Sequence, residues 1–122
     1  MIRYSDSELE EFRVLINEKV EKARIELNYL QGLITRRDEA GTDDTENRYA
    51  SMEDGAQSNE REQLNQMASR QIKFIHNLEN ALIRIENKSY GVCREKGILI
   101  DKKRLYAVPH ATLSKEAKDQ RN

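Results

Sequence analysis

Apolar residues recur at heptad spacing in a long stretch near the start of the chain, from about Ser5 to Arg37. One series of apolar positions has a spacing of seven residues, and a second series follows it at an offset of three or four. The members of the two series are Leu9, Ile16, Ala23 and Leu30, and then Val20, Leu27 and Ile34. Arg13 interrupts the second series. This pattern predicts a helix that packs along a narrow apolar seam.

The apolar face of this helix is wider near its N-terminus. Phe12, Val14 and Ile25 lie beside the seam positions, so we expect this end of the helix to pack against more than one neighbour. Ser5 or Ser7 can cap the helix, because a serine hydroxyl accepts a hydrogen bond from one of the first backbone N–H groups.

A second heptad stretch runs from about Ala56 to Asn87. Its two series are Leu64, Gln71, Leu78 and Ile85, and then Ala68, Ile75 and Leu82. Gln71 places a polar side chain in the seam, where it can set the register at some cost in stability. Because a helix gains most of its stability from tertiary packing, we expect the two stretches to pack together, antiparallel within one chain. A seam that joins two chains is the alternative, and a hairpin that satisfies itself favours a monomer.

The segments between and after the heptad stretches have a different character. Residues 38–56 are polar and acidic, contain Gly41 and Gly55, and lack a seam, so we predict the tip of a hairpin there.

Residues 88–122 contain short apolar runs, with Ser114 as a candidate cap for a last helix, and predict a compact ββα-like domain. The residues expected to form its core are Val92, Ile98, Ile100, Leu105, Val108 and Leu113. The predicted fold is mainly α, with a coiled-coil hairpin over residues 1–87 and a small globular domain over residues 88–122.

Composition narrows the class of protein. The 122 residues include 35% charged and 37% hydrophobic residues, and 21 Lys and Arg against 22 Asp and Glu give a net charge of −1. Long exposed helices suit this composition better than a large globular core does. Without a net basic charge we predict a protein partner and no direct sequence-specific binding of nucleic acid.

No apolar run approaches the length of about 20 residues that a membrane span needs, and no signal-peptide pattern opens the chain. The single cysteine, Cys93, fits a reducing compartment, so we predict a cytoplasmic protein.

No catalytic signature accompanies these segments. The stretch from Gly91 to Gly97 lacks the spacing of a phosphate-binding loop, and no His and acid are spaced around Cys93 as in a nucleophilic triad. We therefore predict that the protein is not an enzyme and needs no cofactor. A buried structural role for Cys93 is favoured, and a redox or metal sensor centred on this residue is the weaker alternative.

The C-terminal half carries a motif that resembles the zinc-finger segment of the DksA/TraR family of bacterial transcription regulators. In that family the pattern Y/F-G-x-C-x-x-C-G-x-x-I precedes R-L-x-A-x-P and a final C-x-x-C. The positions that match it are Tyr90, Gly91, Cys93, Gly97, Ile100, Arg104, Leu105, Ala107, Pro109 and Leu113. The resemblance covers most of the chain and is strongest from Arg70 to Lys118.

The four metal-binding positions of the family fall on Cys93, Lys96, Ser114 and Ala117, of which only Cys93 is a thiol. Structural zinc needs four N, S or O ligands in a tetrahedron. Recruitment of His110 would still leave the site two ligands short. We therefore predict that no metal binds here.

The resemblance also implies a partner and a mechanism. Members of the family bind RNA polymerase through its secondary channel and place acidic residues of the coiled-coil tip, in a D-x-x-D-x-A pattern, where they modulate initiation. Asp54 and Ala56 match the second half of the pattern, while Ser51 replaces the first Asp. Gapless counting back from the C-terminal motif instead places Glu53 at the key acidic position, and Asp43 and Asp44 add nearby acids. A coiled-coil adaptor that binds another protein is the alternative function.

Overall fold

The computed structural model describes the backbone of residues 2–40 and 44–121 and the side chains of residues 2–36 and 59–120. Four helices occur in these ranges: α1 (Asp6–Ala40), α2 (Asp44–Glu86), α3 (Lys102–Ala107) and α4 (Lys115–Arg121). The predicted fold class, mainly α with a coiled coil and a small globular part, is confirmed. None of the helices in the described part of the chain has both the length and the apolar composition needed to cross a membrane.

The chain forms two compact units, which we call the terminal unit (Met1–Glu21 with His76–Asn122) and the central unit (Lys22–Ile75). Both long helices contribute residues to each unit. The domain boundary that we predicted at residue 87 coincides with the end of α2 at Glu86. The terminal unit, however, also includes the first part of α1 and the last part of α2. The division into a hairpin domain and a C-terminal domain stays a prediction.

The central unit contains the outgoing part of α1 and the returning part of α2, and its seam is the one that the heptads predict. Ala23, Leu30, Ala68 and Ile75 are buried, and the remaining seam residues of this unit are half-buried. Ile25, which we expected beside the seam, has 63% of its surface exposed. The apolar face is therefore narrower here than its sequence suggests.

The start of the second helix corrects our prediction. α2 begins at Asp44 and not near Ala56, and α1 continues to Ala40 instead of ending near Arg37. The polar segment lacks a seam, but most of its residues have moderate to good helix propensity. Gly55 alone costs only about 1 kcal/mol in a helix interior, which is too little to end one.

The terminal unit is built around aromatic side chains. The Phe12 ring lies 5.6 Å from that of Tyr4, 5.2 Å from that of Tyr90 and 5.5 Å from that of Tyr106, measured between centroids. The N-terminal end of α1 therefore packs against several neighbours, as predicted, and Phe12 is the residue that makes these contacts. Val14, expected on the same face, is 49% exposed.

Two buried phenols tie this cluster to the C-terminal segment. The Tyr4 hydroxyl donates a hydrogen bond to the carbonyl of Ile100, and the Tyr90 hydroxyl donates one to the carbonyl of Pro109 at 2.8 Å. Burial raises the pKa of both phenols, so both hydroxyls keep the proton that they donate. Each bond satisfies a polar group that would otherwise be costly to bury.

The C-terminal segment differs from the expected ββα arrangement. Its only extended pairing among the described residues is one antiparallel bridge between Val92 and Leu99. The core prediction is confirmed for Ile100 and Leu105, which are fully buried, and is wrong for Ile98, which is 41% exposed. Val92, Val108 and Leu113 are half-buried. A single bridge leaves the side chain of Ile98 without a second layer to cover it.

Candidate functional site

The N-terminus of α1 is fixed by a capping box and by lysines from elsewhere in the terminal unit. Ser5 is the cap, because its hydroxyl accepts a hydrogen bond from the Glu8 backbone N–H at 3.2 Å and Glu8 accepts one back from the Ser5 N–H at 3.2 Å. Lys102 forms an ion pair with Glu8, and Lys88 forms one with Asp6 at 3.1 Å. The sequence predicted the cap but gave no signal for the two ion pairs.

The structure brings the four family metal positions together in the C-terminal segment. The Cys93 sulfur receives hydrogen bonds from the backbone N–H groups of Ser114, Lys96 and Glu95 and from the Ser114 hydroxyl. The Ser114 hydroxyl oxygen also accepts a hydrogen bond from the Ala117 N–H at 3.2 Å, which caps α4 as predicted. Cys93 and Ala117 are buried. Hydrogen bonds and close packing therefore join the loop of Cys93 to the start of α4.

Backbone hydrogen bonds hold the loop that carries Cys93. The Cys93 N–H donates to the carbonyl of Ile98 at 2.7 Å, and the Gly97 N–H donates to the carbonyl of Cys93 at 2.8 Å. Gly97 has a φ of 68°, in the left-handed region that favours glycine. The Arg94 N–H donates to the carbonyl of Thr112 at 3.0 Å and so links this loop to the segment before α4.

The surroundings of Cys93 change its acidity. Burial raises the pKa of the thiol, but the four hydrogen bonds from Ser114, Lys96 and Glu95 outweigh this effect and lower the pKa to about 7. Donors aimed at the sulfur favour its charged form. No other cysteine lies in the chain to form a disulfide with it. The predicted role of Cys93 as a buried core residue agrees with its 1% exposure.

The residues present do not fit a structural zinc ion. Zinc in such sites takes four N, S or O ligands, yet Ala117 has no donor atom. The Lys96 ammonium lies 3.6 Å from a carboxylate oxygen of Glu116, and ammonium groups do not bind metals. Within the described ranges, no three His, Cys, Asp or Glu side chains are grouped in a way that could hold a metal ion. Metal-independent folding stays a prediction with a direct test.

The candidate tip acids lie in a part of the chain whose side chains are outside the described residues. Asp43 falls outside the described residues. Asp44, Glu53, Asp54 and Ala56 lie on the backbone of α2, but their side chains are also outside the described residues. The choice between Glu53 and Asp54 as the main effector therefore stays a prediction.

The chain was compared with known families, curated proteins and solved structures. No family model matches it. It is 47% identical, over 51 residues, to the RNA polymerase-binding transcription factor DksA from each of two strains of Caulobacter vibrioides. Its fold matches the structure of the transcription factor DksA2 from Pseudomonas aeruginosa with a TM-score of 0.81 and 23% identity, over 94% of this chain and 83% of that chain.

The chain is therefore similar to DksA in sequence over part of its length and similar to DksA2 in fold.

The sequence match to DksA is limited in extent. It spans 42% of this chain and only 36% of the length of the curated DksA proteins. The match to DksA2 covers nearly the whole chain, and at 23% identity it shows that the fold is shared. The names of these relatives describe transcription factors and not enzymes, in agreement with our prediction that the protein is not an enzyme.

Proposed function

We propose that the protein regulates transcription by binding bacterial RNA polymerase. The observation that carries this proposal is the 47% identity over 51 residues to proteins named RNA polymerase-binding transcription factor DksA. The shared fold with DksA2 supports it. A partner inside the transcription machinery also implies that the protein acts in the cytoplasm.

The central unit is the part that we expect to enter the secondary channel of the polymerase. Two helices with one narrow buried seam give a slender and mostly polar element, which suits a water-filled channel. The acids Glu53 and Asp54, with Asp43 and Asp44 close in sequence and Ala56 completing the motif, would then be delivered towards the active site. Carboxylates placed there change the local electrostatics, which act strongly in a confined space, and would alter the stability of promoter complexes.

The terminal unit would dock outside the channel and fix the depth of insertion. Its aromatic cluster and the hydrogen bonds of Tyr4 and Tyr90 make it a rigid support. The seam is satisfied within one chain, so we expect the protein to bind as a monomer. Neither a cofactor nor a direct sequence-specific contact with nucleic acid is part of this proposal.

The test is to measure binding to the cognate core RNA polymerase and the effect on transcription in the same preparation. The wild-type protein is compared with a Glu53→Gln/Asp54→Asn variant, which removes two charges and keeps the size of both side chains. We expect both proteins to bind and only the wild type to change transcription. Glu60→Gln/Glu62→Gln, which removes two charges from exposed positions further along α2, is the matched control and should behave as the wild type does.

The outcomes separate the parts of the proposal. Absence of wild-type binding at micromolar concentration would exclude the polymerase as the partner. If the double variant binds and changes transcription as strongly as the wild type does, the polymerase remains the partner but the two acids lose their assigned role.

The adaptor alternative has one observation in its favour. Ser51 stands where the family motif has its first Asp, so an effector acid is missing from the tip. An adaptor would bind another protein through its helix faces, and neither the wild type nor the Glu53→Gln/Asp54→Asn variant would then change transcription.

A further inference from the structure

An open groove in the terminal unit has no role in the assignments above. Its volume is about 530 Å³, and it lies between the loop before α3, α3 itself and the start of α4. Its apolar lining includes Ile98, Leu99, Ala107 and Val108. All of these residues belong to the terminal unit, so the groove is a feature of one compact body.

The apolar part of the groove is unusually accessible to solvent. Ile98 is 41% exposed and Leu99 is 37% exposed, although they are adjacent large apolar residues. Single exposed apolar side chains are common, whereas neighbouring ones that line a concavity mark a surface that binds something. Covering them would remove apolar area from water, which is favourable by about 25 cal/mol per Å².

The charged residues of the groove leave it with excess positive charge. Lys103, Arg104 and Lys115 outnumber Asp101 and Glu116 in its lining. Glu116 already pairs with Lys96, whereas the hydrogen bond that Asp101 accepts from the Lys103 backbone N–H at 3.3 Å leaves its charge in place. The ammonium groups of Lys103 and Lys115 have no ion-pair partner among the described residues, and both side chains are exposed. The groove therefore combines an apolar floor with two available cations.

We propose that this groove binds an acidic segment of RNA polymerase whose apolar side chains pack on Ile98 and Leu99 while its carboxylates pair with Lys103 and Lys115. This inference rests on the proposed function, because the segment belongs to the same partner. Charge complementarity selects an acidic occupant, and the apolar floor requires side chains that can leave water. Nucleic acid fits less well, because its phosphates would gain nothing from Ile98 and Leu99.

The experiment compares the affinity of the wild type and four double variants for core RNA polymerase. Lys103→Glu/Lys115→Glu reverses the free charges, and both changes place an acid in the first turn of a helix, where the dipole favours it. Ile98→Ser/Leu99→Ser removes the apolar floor. Arg94→Glu/Lys118→Glu makes the same change in charge at two exposed positions that do not line the groove. Thermal unfolding of each variant establishes that the fold is retained.

We expect the charge-reversed variant to bind about tenfold more weakly, with a smaller dependence on salt. The apolar variant should also bind more weakly, with the salt dependence of the wild type. The control should bind as the wild type does, and Lys103→Arg/Lys115→Arg should restore full affinity.

Each other outcome overturns the inference in a recognisable way. If the wild type does not bind polymerase, this inference fails together with the proposed function. If the wild type and both groove variants bind equally, only the groove assignment fails. If the variants lose affinity only when a nucleic-acid scaffold is bound to the polymerase, the occupant is nucleic acid. If the wild type self-associates in sedimentation and the variants do not, the occupant is a second copy of the chain.

Discussion

The two compact units bury their apolar residues in different patterns. In the central unit the buried residues repeat with the heptad, as Ala23 and Leu30 do on α1 and Ala68 and Ile75 do on α2. In the terminal unit the ring of Phe12 meets rings that lie far from it in sequence, and Tyr4 bonds a carbonyl 96 residues away. In a repeating seam many similar contacts share the stabilisation. In the terminal unit a few specific contacts supply most of it, and no other contact replaces them.

Phe12→Ala is the substitution that we expect to change stability most. Removing a ring that is 2% exposed and contacts three other rings should lower the free energy of unfolding by about 3–5 kcal/mol. Urea denaturation measures this change. Val14→Ala on the same helix, where the side chain is 49% exposed, should change the free energy by less than about 0.5 kcal/mol. If both variants lose the same free energy of unfolding, Phe12 is not the central contact of the terminal unit.

A second test uses two glycines of the C-terminal segment. Gly91 and Gly97 have φ values of 77° and 68°, so a side chain at either position costs about 1–2 kcal/mol in backbone strain. At Gly91 a Cβ would also lie 2.5 Å from an atom of the Tyr4 ring, whereas at Gly97 it would meet nothing within 4 Å. Gly91→Ala should therefore lower the melting temperature clearly more than Gly97→Ala does. Similar melting temperatures would mean that Tyr4 moves aside at little cost.

The central unit offers the opposite kind of change, one that stabilises. The side-chain oxygen of Gln71 is buried with no hydrogen-bond partner in the described part of the chain, and a buried unsatisfied acceptor costs about 1–3 kcal/mol. Gln71→Leu should raise the free energy of unfolding by about 1 kcal/mol, and Gln66→Leu, at an exposed position of the same helix, should not. A destabilised Gln71→Leu protein would mean that this glutamine is satisfied.

The same contrast explains what the sequence could predict. Heptad spacing is a local signal, so the two long helices and their seam followed from it, although the start of α2 did not. Serine residues at helix starts are also a local signal, and they predicted the Ser5 and Ser114 caps. The meeting of Phe12 with Tyr90 and Tyr106 left no periodic trace, because it depends on how irregular segments fold back over long sequence separations. Ile98 was misassigned to the core for a related reason: an apolar run predicts burial only if a second layer covers it. The family motif located Cys93, Lys96, Ser114 and Ala117, but could not show which hydrogen bonds would replace a metal.

Acid should weaken the terminal unit through Glu8. Hydrogen bonds from the Lys102 side chain and then from the Ser5 hydroxyl and N–H lower the pKa of this carboxyl from its usual 4.5 to about 2. A depressed pKa in the folded state stabilises the protein above the unfolded value of 4.5, and this contribution is lost as the pH falls towards 2. The free energy of unfolding should therefore fall between pH 5 and pH 2 by less in Glu8→Gln than in the wild type, as measured by urea titrations across this range. Parallel pH profiles would exclude a role for this carboxyl.

The smallest expected effect is that of removing metal. Because Ala117 and Lys96 supply no ligands and the Cys93 sulfur is already bonded to N–H groups of Ser114, Lys96 and Glu95, EDTA should leave the melting temperature unchanged. Ser114→Ala, which removes the cap of α4 and one donor to the sulfur, should cost about 1 kcal/mol, so the site is structural even without an ion. A melting temperature that falls with EDTA and recovers with zinc would show that other groups complete a metal site. If only Ser114→Ala has an effect, this segment is held, as the aromatic cluster is, by a few specific contacts and not by a repeating seam.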